Sequence, residues 1–186
     1  MLRDHATARL LVCALALAGL ACRGGSKTTE APPWPPLESA ELGSMPNVSF
    51  SDGVWIGGTP TPSDLDLARR RGIVTVVDLR TREERPSEDV ALACRELGLE
   101  YVDMGLRPEE TPDSAVDQVL HLLSESDSNK VLLFCSDGSR SAMFLAVHRV
   151  LDQGLPLEKA LAEARRSGMP QEGEVFVRRQ VERLSA

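Results

Sequence analysis

The sequence predicts an α/β layered fold: a mostly parallel central sheet flanked by helices. The β-branched run Ile73-Val74-Thr75-Val76-Val77-Asp78-Leu79 reads as a strand buried on both faces, as parallel sheets require. Apolar runs of this kind alternate with helical patterns over short connections, the pattern of a layered α/β chain. The helices are punctuated in a consistent direction, with proline entering and glycine closing. The chain has 186 residues, 42% of them hydrophobic, which suits one ordinary globular domain.

In chain order, the folded part is expected to begin near Val48. Val54-Trp55-Ile56 reads as a short strand closed by Gly57-Gly58. Thr61-Pro62-Ser63-Asp64 is a helix start, with a threonine cap, proline at the first helical position and a carboxylate at the third. That helix stops at Gly72, and the Ile73 strand follows. Ser87 opens a second helix that reaches Leu97 and ends at Gly98. Tyr101-Val102-Asp103-Met104 is another strand. Thr111-Pro112-Asp113 caps a third helix running through Leu123. Val131 to Phe134 is a strand leading into Cys135. Helices then cover Ser139 to Leu151, Leu157 to Arg166 and Gly173 to Leu184.

Residues before Val48 read differently. Arg3 and Arg9 flank an apolar run from Leu10 to Ala21, with small residues at its end. That is the pattern of a secretory signal over residues 1–21, and it is too short for an ordinary spanning helix. Because it ends on Cys22, it resembles a bacterial lipoprotein signal, with Gly19 where leucine is usual. The resemblance implies lipidation at Cys22 and a periplasm-facing domain. The outer membrane is favoured because Arg23, not aspartate, follows the cysteine. A plain signal peptide and an uncleaved anchor are the alternatives. Residues 22–47, rich in glycine, serine, threonine and proline, suit a flexible tether. Trp34 within it either docks on the domain, touches the membrane interface or stays solvated.

The net charge is -7 and the pI about 5.1, which argues against nucleic-acid binding. The three histidines, His5, His121 and His148, are scattered, and no Cys/His spacing suggests a metal site. Cys94 reads as a buried helix residue. Cys135 reads as functional. The run Val131-Leu132-Leu133-Phe134-Cys135-Ser136-Asp137-Gly138-Ser139-Arg140-Ser141 carries a strand into a cysteine, a loop, an arginine and a helix. In open parallel sheets such strand ends line the ligand crevice. The thiolate is cysteine's reactive form, and a helix N-terminus with a nearby arginine favours it. Backbone N–H groups from Ser136 to Arg140 form a nest for an oxyanion. Gly138 permits the positive φ that the curl needs, and Arg140 can hold two anion oxygens in a fork. Ser141 is placed to donate to the sulfur or to cap the helix. Asp137 is an unexpected charge in such a loop: it either points outward or marks a ligand other than phosphate.

The run Cys135 to Ser141 resembles the phosphate loop of cysteine-dependent protein phosphatases. Val54-Trp55-Ile56-Gly57-Gly58-Thr59-Pro60 and Val76-Val77-Asp78-Leu79-Arg80 resemble the front half of a dual-specificity phosphatase domain. The likeness is strongest to bacterial phosphatase-like domains related to those beside β-lactamase-like hydrolases. The resemblance covers Val48 to Leu184 and implies a (phosphotyrosine protein phosphatase)-like fold for residues 48–186. It implies Cys135 as nucleophile through a thiophosphate intermediate, Arg140 and loop residues Ser136, Asp137, Gly138, Ser139 and Ser141 as phosphate ligands, and no cofactor. The implied substrate is a phosphorylated protein or a small phosphoester. A leaving-group acid is expected on the loop after Met104, where Glu109, Glu110 and Asp113 stand, with Asp113 taken as the catalytic member. Arg80 either adds charge to the cleft or pairs with Asp78 or Glu84. Two departures keep other functions open. The spacing is Cys-x4-Arg where that family has Cys-x5-Arg, and Phe134 replaces the usual histidine. A loop of this length also resembles rhodanese sulfurtransferases, which carry a cysteine persulfide. A catalytically inactive anion- or partner-binding module is the third reading.

Overall fold

Strand β6 (Lys130–Phe134) sits in the middle of the sheet because both of its faces are apolar. Val131 and Leu133 face one core, Leu132 and Phe134 the other, and all four are buried. The computed structural model describes residues 34–85, 89–125 and 130–185. Among them β1 (Glu38–Ser39), β2 (Ser49–Ser51), β3 (Val54–Gly57), β4 (Ile73–Asp78) and β5 (Glu100–Asp103) join β6 in one six-stranded sheet of order β1-β2-β3-β6-β4-β5. The β3-β6-β4-β5 part is parallel, and β1 and β2 add antiparallel strands at one edge.

Helices α1 (Pro62–Arg70) and α2 (Asp89–Leu97) supply Leu65, Ala68, Val90, Ala93 and Cys94 to one core. Helices α3 (Asp113–Ser124), α4 (Ser139–Leu151), α5 (Leu157–Arg166) and α6 (Gly173–Leu184) build the other. Helix α4 is its centre: Ala142 to Val147 are all buried, so this helix is apolar nearly all round, as a core helix must be. The three last helices have the expected bounds. The α1 start also matches, with a full capping box between Thr61 and Asp64.

The structure corrects the reading elsewhere. The expected start at Ser87 lies outside the described residues, and α2 is described from Asp89. Thr111 does not cap α3: the cap position is Pro112, without a side-chain hydrogen bond, and the Thr111 hydroxyl donates instead to the Arg107 carbonyl. A 3-10 turn, Arg82–Glu84, was not expected. The largest difference is at the N-terminal side. Packing begins well before Val48: β1 pairs with β2, Leu42 is fully buried, and Trp34 and Leu37 lie against the α3–α6 core. Of the expected tether, residues 34–47 are therefore part of the domain. Cys22, the signal segment and the first part of the tether lie outside the described residues. Among the described residues no helix is long and apolar enough to cross a membrane.

Candidate active site

The carboxyl end of β6 delivers Cys135 between the ends of β3 and β4. Cys135 has no exposed surface. Its N–H donates to the Gly57 carbonyl at 3.3 Å, which ties the loop to β3. The chain then curls. Gly138 has φ +97°, a conformation that L side chains rarely adopt, and a Cβ there would stand 3.1 Å from Asn47 Cβ and 3.2 Å from the Gly57 carbonyl carbon. The Gly138 N–H thereby points at the sulfur, 3.2 Å from Sγ. Helix α4 starts at the next residue, so the sulfur lies at a helix N-terminus. The Gly57-Gly58 pair has a matching role: a Cβ on Gly58 would meet Pro46 Cγ at 2.5 Å and the Ser136 carbonyl oxygen at 3.1 Å.

The remaining loop residues are arranged in ways the sequence did not settle. Asp137 points inward. Its Oδ1 is 3.5 Å from Cys135 Sγ and accepts the Ser139 N–H at 2.9 Å and the Ser139 hydroxyl at 2.7 Å. Burial raises its pKa, but the hydrogen bonds from Ser139 and Cys135 outweigh that and leave it below the ordinary value. Ser141 does not donate to the sulfur: its hydroxyl bonds the Gly138 and Gly57 carbonyls at 2.8 and 3.2 Å, bracing the loop on β3. Ser136 donates from its hydroxyl to Glu84 Oε1 at 3.0 Å, and its carbonyl accepts the Thr59 N–H.

Arg140 is held by groups of three loops. Its Nη1 donates to the Leu79 and Leu106 carbonyls at 3.0 and 2.9 Å, and its Nη2 to Glu84 Oε1 at 2.5 Å. The guanidinium thus ties the loops after β4 and β5 to the cysteine loop. Glu84 is the residue that sequence reasoning missed in this role. Its other oxygen accepts the Thr81 N–H at 2.8 Å. Burial acts to raise its pKa, but the Thr81 N–H, Arg140 and Ser136 bring it down to about 2. The signal was present: Thr81-Arg82-Glu83-Glu84 has capping-box spacing, which fixes a glutamate over the preceding backbone.

Arg80 pairs with buried Asp78 at 2.8 Å and lies over the Phe134 ring, 4.9 Å from its centroid. Asp78 also accepts the Tyr101 hydroxyl at 2.7 Å. Arg80 is therefore spent on the scaffold beneath the loop. Asp113, expected to be catalytic, is engaged at the surface: its Oδ2 is held by Arg183 of α6 at 2.7 Å, and its side chain is 62% exposed. Glu109 lines a separate, mainly apolar cavity with Met143, Phe176 and Arg179. Glu110 lies in an exposed turn closed onto Arg107.

A family model described as "DSP-PTPase phosphatase fused to NAD+ Kinase" matches residues 27–179. The chain belongs to this phosphatase family. Solved phosphatase structures share the fold. TpbA from P. aeruginosa is 20% identical, with a TM-score of 0.65 over 84% of this chain and 99% of that one. Tk-PTP in its active form is 25% identical, with a TM-score of 0.61 over 74% and 97%. The catalytic core of the S. cerevisiae PP-IP phosphatase SIW14 is 17% identical, with a TM-score of 0.62 over 78% and 94%. No curated protein sequence matches the chain. The enzyme is thus a phosphatase of the dual-specificity and tyrosine phosphatase-like class, with a mixed α/β fold in which the cysteine loop occupies the end of the central strand.

Proposed function

We propose that this phosphatase works through a covalent thiophosphate on Cys135. The Cys135 thiolate attacks phosphorus, the S–P bond forms as the P–O bond to the leaving group breaks, and the leaving oxygen takes up a proton from water. Water then cleaves the S–P bond and releases phosphate. The observation that carries this reading is the sulfur at the carboxyl end of β6, 3.2 Å from the Gly138 N–H at the start of α4. Phosphotyrosine in one TpbA complex supports an aryl phosphoester on a protein as the substrate class. Hydrolysis of an aryl phosphate, inhibited by vanadate and abolished in Cys135→Ser, is the expected result. A folded protein that turns over neither aryl phosphates nor phosphotyrosyl peptides would sink the reading.

The short Cys-x4-Arg loop favours one second reading, sulfur transfer through a Cys135 persulfide. Incubation with thiosulfate and intact-mass measurement separates the two, since only that reading adds one sulfur atom at Cys135. For location, we propose a lipid anchor at Cys22 that holds the domain on the periplasmic side of the outer membrane. The support is the sequence pattern of residues 1–22. Detergent-phase partitioning of the mature protein, lost in Cys22→Ser, is the outcome expected of it.

A further inference from the structure

The thiophosphate steps proposed above give no task to the Asp137 carboxylate, which stands 3.5 Å from the sulfur. Asp137 lies over Cys135 with its outer side in solvent and its Oδ1 turned to the sulfur. Two donors at the start of α4, the Ser139 N–H and hydroxyl, are directed at this oxygen. The backbone holds the residue in place, because its carbonyl accepts Asn47 Nδ2 at 2.8 Å and it bridges to Gly58. A phosphoryl group attacked by Sγ must set its oxygens among these same donors.

The charges facing Asp137 can be counted by element. From its own loop comes the Cys135 thiol. From α4 comes Arg140, and from the 3-10 turn comes Glu84, joined to Arg140 beside Ser136. The segment before β2 contributes the uncharged Asn47, and the end of β3 contributes backbone and Thr59. Arg140 is thus offset by Glu84, and among the described residues no salt bridge joins a cation to the Asp137 carboxylate. A phosphoryl dianion would enter against a fixed negative charge at contact distance, a cost of about tenfold in affinity or more. A carboxylate does offer one favourable contact: it accepts a hydrogen bond from a P–OH. A phosphomonoester carries that hydroxyl as its monoanion, below a second pKa of about 6.

We propose that Asp137 is a specificity-determining residue that selects the singly charged phosphoryl group by accepting its P–OH. The proposal rests on the phosphatase reading and names the charge state of the substrate. No bond is made or broken at Asp137, and the proton stays on the phosphoryl oxygen. Against burial, the Ser139 N–H and hydroxyl hold the pKa of the carboxylate below the ordinary range, while the phosphoryl group gains its second charge between mildly acidic and mildly basic solution.

Calorimetric titration of the full chain with inorganic phosphate at pH about 5 and about 8, and with sulfate, tests this. Sulfate is a dianion at both pH values and has no hydroxyl to donate. The wild-type protein is expected to bind phosphate about tenfold tighter at the lower pH, and there to prefer phosphate over sulfate by a similar factor. Asp137→Asn removes the charge with the same shape, and Asp137→Ser keeps an acceptor for the Ser139 N–H should the first variant fold poorly. Either is expected to bring both ratios to within about twofold of unity by gaining affinity for dianions. Equal phosphate affinity at the two pH values in the wild type, or ratios that neither variant moves, overturns the assignment of Asp137 alone. Absence of oxyanion binding in every protein, together with no aryl phosphate turnover, overturns the phosphatase reading and this proposal with it.

Discussion

Arg140 places four of its guanidinium contacts inside the protein: two backbone carbonyls, Glu84 and, more distantly, Ser136 Oγ at 3.4 Å. Its first task is to hold three loops together, and the ion pair with Glu84 fixes its plane. Lysine cannot reach two carbonyls and a carboxylate at once. Arg140→Lys is therefore expected to lower both kcat/KM and the unfolding temperature, which steady-state kinetics and thermal unfolding would follow together. Glu84 adds a pH signature. Its folded pKa, about 2, lies below the ordinary value of 4.5, so its stabilisation is complete above 4.5 and disappears as pH falls toward 2. The side chain is one-third exposed, so the contribution is about 1 kcal/mol after screening. Urea unfolding should separate Glu84→Gln from wild type at pH 7 and bring the two together near the acid limit. Asp113 gives the opposite expectation. Its carboxylate is engaged with Arg183 at the surface, and loss of a general acid would cost about 10²–10⁴ in rate. Asp113→Asn is expected to keep kcat within about threefold, and a fall of two orders of magnitude would make it the acid after all.

At the scale of elements, the cysteine loop works because two glycine positions let three backbones meet. Gly138→Ala forces a Cβ into the left-handed region and against Asn47 and Gly57, and such strain costs about 1–3 kcal/mol. The lost geometry also removes the N–H from the sulfur. The variant should unfold at lower temperature and lose most of its turnover, whereas a fully active Gly138→Ala would show that the curl is dispensable. This loop was legible in sequence because its parts are local: an apolar strand, a glycine, an arginine, a helix. The same holds for α1, whose cap, proline and carboxylate lie within four consecutive residues. What sequence did not show depends on contacts far along the chain. Ser141 turns to the Gly57 carbonyl, 84 residues away, and Arg140 to the Leu79 carbonyl, 61 residues away. Local pattern cannot say which of several acceptors a buried hydroxyl or guanidinium will find. The partner of Asp113 was not legible for a related reason: a carboxylate at a helix start has the same sequence signature whether it faces the site or a distant arginine. The inward turn of Asp137 follows from the Ser139 donors two residues on, a local cause, but loop polarity alone allowed either direction.

At the scale of the whole molecule, the polar, proline-rich segment before β2 is what joins the two cores at the sheet edge. Composition suggested a tether, since prolines and few apolar residues bury little surface. Yet its few apolar residues are placed where they count. Leu42 and Met45 fill the α1–α2 core, while Trp34 and Leu37 cover the α3–α6 core, with Lys159 Nζ 4.7 Å from the Trp34 ring centroid. Ser44 donates its N–H to buried Asp64 at 2.8 Å, which links the segment to the α1 cap. Arg149, 1% exposed, donates to the Pro35 carbonyl and the Ser51 hydroxyl, each at 2.7 Å. A chain beginning at Val48 would leave that guanidinium short of a partner and open a cavity at Leu42. Loss of one buried leucine costs about 2–5 kcal/mol, and an unmet buried donor about 1–3. At about 2–4 °C per kcal/mol for a domain of this size, the melting temperature should fall by at least about 6 °C. A chain beginning at Trp34 keeps all these contacts and should melt with the full-length protein. The segment also approaches the active site, because Asn47 holds the Asp137 carbonyl and Pro46 packs on Gly58. The chain starting at Val48 should therefore lose turnover at temperatures where it is still folded. If both shortened chains instead match the full-length protein in melting temperature and kcat/KM, the segment is a tether after all and the domain begins at Val48.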